Sequence, residues 1–190
     1  MMPDMNLEAA LDPEDSDATL ESDVAADEEY INAADAGRMG KAVEHLVAAA
    51  CILSTRGNLN VSTSLVDDEG VDLVFHARDG VRTLAVQVKA RMSDSKTVRT
   101  KQRFIAMVRE ATFVPRTDLA MLFVLADVAE GRYTTAWLVP SEEFASRAKV
   151  RSDGKRRFVA SLKPGTKDQW VSFRHTAATL PAEVLRLLTT

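Results

Sequence analysis

Residues 118–126 read "DLAMLFVLA": one carboxylate, then eight apolar side chains without a break. A membrane crossing needs about 20 predominantly apolar residues. No run of even 18 occurs anywhere in the chain, so no transmembrane helix is expected. A short, unbroken apolar run instead reads as a central strand of a sheet. The fold must therefore be organised around a sheet. With 190 residues and 46% apolar side chains, the chain is long enough to bury a real core around that strand.

The flanking pattern supplies the other elements. "GRMGKAVEHLVAAACILSTRG" carries Val43, Leu46, Val47, Ala50 and Leu53 at helical spacing, with Gly57 as the stop. "NVSTSLV" predicts a strand, "DDEG" a turn, and "VDLVFHA" a second strand. "RTLAVQVKA" predicts a third, joined to the second by a hairpin through Asp79 and Gly80. "RMSDSKTVRTKQR" is expected to be a basic loop or lid, and "FIAMVREAT" fits either a short helix or a strand. After the central run, "YTTAWLVP" and "RRFVASL" predict strands. "SEEFASRAKV" predicts a helix with a Ser cap, and "LPAEVLRLLTT" a closing helix. The expected fold class is α/β, a mixed sheet flanked by helices.

Charge is unevenly distributed. The first 36 residues hold twelve of the 28 acidic residues and none of the 24 basic ones, and few large apolar side chains. That composition predicts a disordered tail. Residues 37–190 then carry 24 basic against 16 acidic residues, a net of +8, beneath an overall charge of −4. A basic domain points toward a polyanion such as nucleic acid. The tail reads either as a solubilising leader or as a tethered DNA mimic competing for the basic face. The acidic N-terminus lacks a basic segment followed by an apolar one, so no signal peptide is expected. The single cysteine, Cys51, cannot form an internal disulfide and is expected in the core. Both features suit a cytoplasmic protein.

Strand periodicity gathers polar residues that do not look like ordinary surface. In "TLAVQVKAR" (residues 83–91), Gln87 and Lys89 share one face because strand side chains repeat every two residues. The hairpin brings Asp72, at the start of the preceding strand, to the same end. Its parity allows it to point to the same side. Glu44 flanks the apolar stripe of the first helix and can reach that edge. Glu44, Asp72, Gln87 and Lys89 together suit phosphodiester hydrolysis. Mg²⁺ takes hard oxygen ligands, often one or two carboxylates completed by waters and phosphate oxygens. Lysine beside such a site can orient or help deprotonate water and offset transition-state charge. Gln87 can offer a neutral carbonyl oxygen.

Gly40-x-x-x-Glu44 on a helix, "GVDLVF" with Asp72, and "VQVK" with Gln87 and Lys89 follow one another in an order that resembles the PD-(D/E)xK nuclease superfamily. That superfamily includes restriction endonucleases and Holliday-junction resolvases. "WLVPSEEF" and "FVASLKPGTKDQW" also look like the C-terminal part of small bacterial members, and the resemblance spans residues 37–190. Here the last motif is Q-x-K, and no proline precedes Asp72. The resemblance implies a restriction-endonuclease-like sheet flanked by helices, dependence on Mg²⁺ or Mn²⁺, and cleavage of DNA. Asp72, Gln87 and Glu44 would be the metal ligands. RNA is a second candidate substrate, and a homodimer is one way a domain without a separate recognition module could act.

Other features carry less. Lys41, Arg91, Lys96, Arg99, Lys101 and Arg103 lie near the site in sequence and are candidate nucleic-acid contacts, needing only charge and reach. Asp67, Asp68 and Glu69 read as a charged turn, with Asp68 a weak candidate for a second metal. "GRMGK" fails the phosphate-loop pattern at Asp35 and Ala42. His45, His76 and His175 have no zinc-ligand spacing with Cys51. "VRSDGKRR" reads as a hairpin turn. Two other function classes fit the composition: a catalytically inactive nucleic-acid-binding module on the same fold, and a protein–protein regulator using the acidic tail.

Overall fold

A computed structural model describes residues 35–63 and 70–189. The acidic tail up to residue 34 and the turn containing Asp67, Asp68 and Glu69 lie outside the described residues. The order of elements is α1 (Ala36–Ser54), β1 (Leu59–Thr63), β2 (Leu73–Ala77), β3 (Thr83–Met92), α2 (Lys96–Lys101), β4 (Arg103–Arg109), β5 (Leu119–Asp127), β6 (Arg132–Pro140), α3 (Ser141–Arg147), β7 (Lys155–Ser161), β8 (Arg174–Thr176) and α4 (Leu180–Thr189). Short 3₁₀ turns occupy Glu110–Thr112 and Val171–Phe173. The expected α/β class holds: a six-stranded mixed sheet runs β1-β2-β3-β5-β6-β8, flanked by helices.

The apolar run is β5, at the centre, parallel to β3 on one side and antiparallel to β6 on the other. It needs apolar residues at every position because both its faces are covered. Leu122 and Val124 face a core built with Val43, Val47 and Cys51 of α1 and Leu180, Val184 and Leu188 of α4. Met121, Phe123 and Leu125 face a second core with Phe104, Phe144, Phe158 and Trp170. There Phe123 and Phe158 stack with ring centroids 3.7 Å apart. Burial pushes the Cys51 thiol up to about 12, so it sits in this first core as a protonated, inert side chain.

Two expectations change, and one open reading is settled. The segment after Lys89 is not a loop: β3 continues to Met92 and a short helix, α2, follows. "FIAMVREAT" is resolved as strand β4 followed by a 3₁₀ turn. That strand does not join the main sheet. It pairs with β7 in a separate antiparallel ribbon, from Arg103↔Ser161 to Arg109↔Lys155. Ser141 does not cap α3. Its hydroxyl instead donates to the Arg116 carbonyl at 2.7 Å and accepts from the Arg116 N–H at 2.8 Å, fixing the loop into β5. The β2–β3 hairpin is as expected, with Asp79 in the left-handed region at φ 59°.

The ribbon is latched to α3 by Arg156. Its guanidinium pairs with Glu110 and donates to the Ala145 and Ala148 carbonyls, each at 2.7 Å. Its hydrogen bonds hold the Glu110 carboxyl below the usual range. Arg156→Ala strands two carbonyls and a carboxylate, so it should cost about 2–3 kcal/mol in denaturant unfolding. Glu110→Gln leaves the carbonyl bonds in place and should cost well under half of that. Because Glu110 has a lowered folded-state pKa, its contribution is present above its unfolded pKa. It is lost as pH falls through the folded value.

Candidate active site

The site forms where β2 and β3 part. Their register ends at Leu73↔Val86, yet β3 runs on through Gln87, Lys89 and Arg91 to Met92. The stretch beyond Val86 therefore lacks β2 as a neighbour on one edge. The side chain of Asp72 takes up part of that vacancy, accepting the Val88 N–H at 2.7 Å through Oδ2. Its own N–H donates to the Val86 carbonyl at 2.9 Å. Asp72 is thus an edge cap on β3 as well as a carboxylate held at a fixed place. A carboxylate has about four lone-pair sites, so one such bond does not exhaust it.

Gln87 and Lys89 face the second core's side of the sheet, in register with Met121 and Phe123 of β5. Gly70, at φ 67°, passes so close to Gln87 that a Cβ there would sit 2.7 Å from the carboxamide nitrogen. Gly70 is the residue that lets the chain turn tightly past this amide. Glu44 comes from α1 and is 8% exposed. Lys41, one turn earlier, donates to its Oε2 at 2.6 Å.

Glu44, Asp72, Gln87 and Lys89 all line one cavity of about 710 Å³, together with Lys41 and Arg91. The sequence reading therefore placed all four around a common space. The six candidate nucleic-acid contacts divide. Lys41 lines the cavity. Arg91 also reaches it, but it lies on β3, 5% exposed, and its Nε donates to the Ile105 carbonyl at 2.6 Å. It ties β3 to β4 rather than standing in a mobile basic loop. Lys96 and Arg99 are exposed on α2, Lys101 is half-buried at its last position and Arg103 is half-buried at the start of β4; none of the four lines the cavity. His76 meets Ser62 at 2.9 Å and is not among the lining residues.

Sequence reasoning missed Arg109 and Lys155, which line the same cavity from the ribbon. They lie far from Lys89 along the chain. The available signal was the cation at the end of "RFIAMVR" and at the start of "KRRFVAS", two ends that meet only if those strands pair antiparallel.

The donor set is sparse. Among the described residues no group of three or more His, Cys, Asp and Glu side chains gathers as a metal site. Two carboxylates and an amide oxygen nevertheless fit a hard ion whose remaining ligands are waters and substrate oxygens. Among the described residues no helix is long and apolar enough to cross a membrane.

No family model matches the chain, and no curated protein matches it. A solved structure of a bacterial homing endonuclease, I-Ssp6803I, is similar at 16% identity and a TM-score of 0.47, over 76% of this chain and 90% of that one. At that score the likeness carries no argument about this chain's chemistry.

Proposed function

We propose that the chain is a metal-dependent nuclease of the PD-(D/E)xK kind, in its Q-x-K form, hydrolysing DNA phosphodiester bonds. One observation carries the reading. Glu44, Asp72, Gln87 and Lys89, from a helix, a strand start and one strand face, line a single cavity beside a half-open strand. Asp72 and Gln87, with Glu44, would hold Mg²⁺ or Mn²⁺. The chemistry such an ion supplies is a lowered pKa for water and stabilisation of charge on the phosphate. The protein's own part is positional. The Val88 N–H fixes the Asp72 carboxylate, and Lys41 fixes Glu44. The Lys89 ammonium donates to the attacking water or to a phosphate oxygen, orienting the one and offsetting charge on the other.

A second reading, a binding module on the same fold without catalysis, draws on the two-carboxylate donor set. Supercoiled and branched DNA incubated with the protein in Mg²⁺ or in EDTA separates the two. Cleavage in Mg²⁺ alone supports the nuclease, retention without cleavage supports the binding module, and neither outcome removes both.

The role of Gln87 has its own test. Gln87→Glu keeps nearly the same shape and adds a carboxylate, a better hard-ion ligand than an amide. In calorimetric titration with Mn²⁺ it should bind on the order of 10-fold or more tightly than the wild type, a gain of about 1.4 kcal/mol. Identical isotherms, or no binding by either protein, would count against Gln87 as a ligand. Cleavage is a poorer readout, because the new anion also attracts Lys89.

A further inference from the structure

The β4–β7 ribbon turns one face to the second core with Phe104, Ala106 and Val108 on one strand and Phe158 and Ala160 on the other. The opposite face carries Met107 and Arg109 on β4 and Lys155 and Arg157 on β7. Neither strand contains an acidic residue. At the end nearest the cavity, Arg109 and Lys155 stand directly opposite each other in the ladder, and both line the cavity that holds Lys89. Like charges directly across a ladder are destabilising. Arg109 is exposed and has no carboxylate partner among the described residues. Lys155 lies 4.0 Å from the Asp153 carboxylate, which Arg151 also approaches, at 3.8 Å. A cross-strand cation pair facing a polar cleft has the chemistry of an anion clamp.

We propose that Arg109 and Lys155 grip a backbone phosphate of double-stranded nucleic acid beside the bond to be cut. The ribbon then serves as the wall of the cleft that holds the duplex in place. This rests on the reading of the chain as an enzyme acting on DNA. Neither residue touches the reacting phosphate in this scheme, so both are positioning residues. Arginine gives a planar, bidentate hold on a phosphate and lysine a point charge.

The test is duplex binding in EDTA, where no cleavage intervenes, read as fluorescence anisotropy of a labelled duplex across a salt series. Each lost phosphate contact lowers the slope of log affinity against log salt by about 0.9. Because the pair holds one phosphate, Arg109→Gln with Lys155→Gln should therefore lower it by about 0.9, with near-normal affinity at high salt. Arg109→Lys with Lys155→Arg keeps the charge and should keep the slope. Arg82→Gln with Arg186→Gln removes equal charge from the lining of a different cavity, near Leu119 at the start of β5, and should leave the slope unchanged. Thermal melts of all three check the fold. An unchanged slope in the Gln pair, with a wild type that binds and cuts DNA, overturns the clamp and leaves the nuclease reading intact. An equal loss with the control pair reduces the effect to net charge and also overturns the clamp. A matching slope change on single-stranded DNA removes the duplex from the proposal. A wild type that binds no nucleic acid at any salt concentration overturns both readings.

Discussion

Lys89→Ala is expected to lower the rate of DNA cleavage by on the order of 10³-fold, through the loss of an electrostatic and orienting group at the reacting centre. Lys89 is half-buried at the cavity wall, and among the described residues no carboxylate pairs with it. Among the described residues its removal therefore breaks no ion pair. The variant should unfold within about 1 kcal/mol of the wild type. Duplex affinity in EDTA should fall only modestly, by the loss of one phosphate contact at most. Lys96→Ala supplies the contrast. Lys96 is exposed on α2 and does not line the cavity, so its removal should leave the cleavage rate at saturating DNA unchanged. Single-turnover rates in Mg²⁺ decide the matter. A Lys89→Ala protein that cuts as fast as the wild type takes Lys89 out of the mechanism.

Why the site was legible while the ribbon was not follows from what each depends on. Asp72, Gln87 and Lys89 belong to one hairpin, whose register is set by a local turn at Asp79 and Gly80 and by period-two alternation. Glu44 needed one long-range step, the packing of α1 on the sheet. That step was readable because Val43 and Val47 mark its buried stripe. The β4 segment offered no period. Phe104, Ala106 and Val108 face a core, but Ile105 is also buried and Met107 is apolar, so alternation does not show. Its partner β7 lies some fifty residues on, beyond two main-sheet strands and a helix. Local rules reach turns and faces, whereas a ribbon closed over such a distance leaves no local trace. Helix α2 escaped for a different reason. Six residues, Lys96–Lys101, are too few to display an apolar stripe. Arg91 shows the same limit at a single side chain. A cation in a basic run reads as solvated until a backbone carbonyl, here that of Ile105, is found at its end.

Asp72 separates structure from chemistry more sharply than any other residue of the candidate site, because on the proposed reading one carboxylate serves both. Its Oδ2 accepts the N–H of Val88, a residue only 7% exposed, on the stretch of β3 that β2 no longer covers. Asp72→Ala leaves that N–H without its acceptor and should cost about 1–3 kcal/mol. That is a fall of roughly 3–10 °C in Tm for a domain of this size. Asp72→Asn keeps an oxygen in the same place. It exchanges a charge-assisted bond for a neutral one, a loss of about 1 kcal/mol or less. For stability, then, Asn should stand near the wild type and Ala well below it. For cleavage the two should be alike. Both lose the anion that a hard cation requires, and both should fall by on the order of 10³-fold or more, with weakened Mn²⁺ binding in calorimetry. Thermal melts, Mn²⁺ titrations and single-turnover cleavage on the three proteins give the pattern. If Asp72→Asn cuts and binds Mn²⁺ like the wild type while Asp72→Ala merely melts early, Asp72 is an edge cap and nothing more, and the metal site must be sought elsewhere in the cavity.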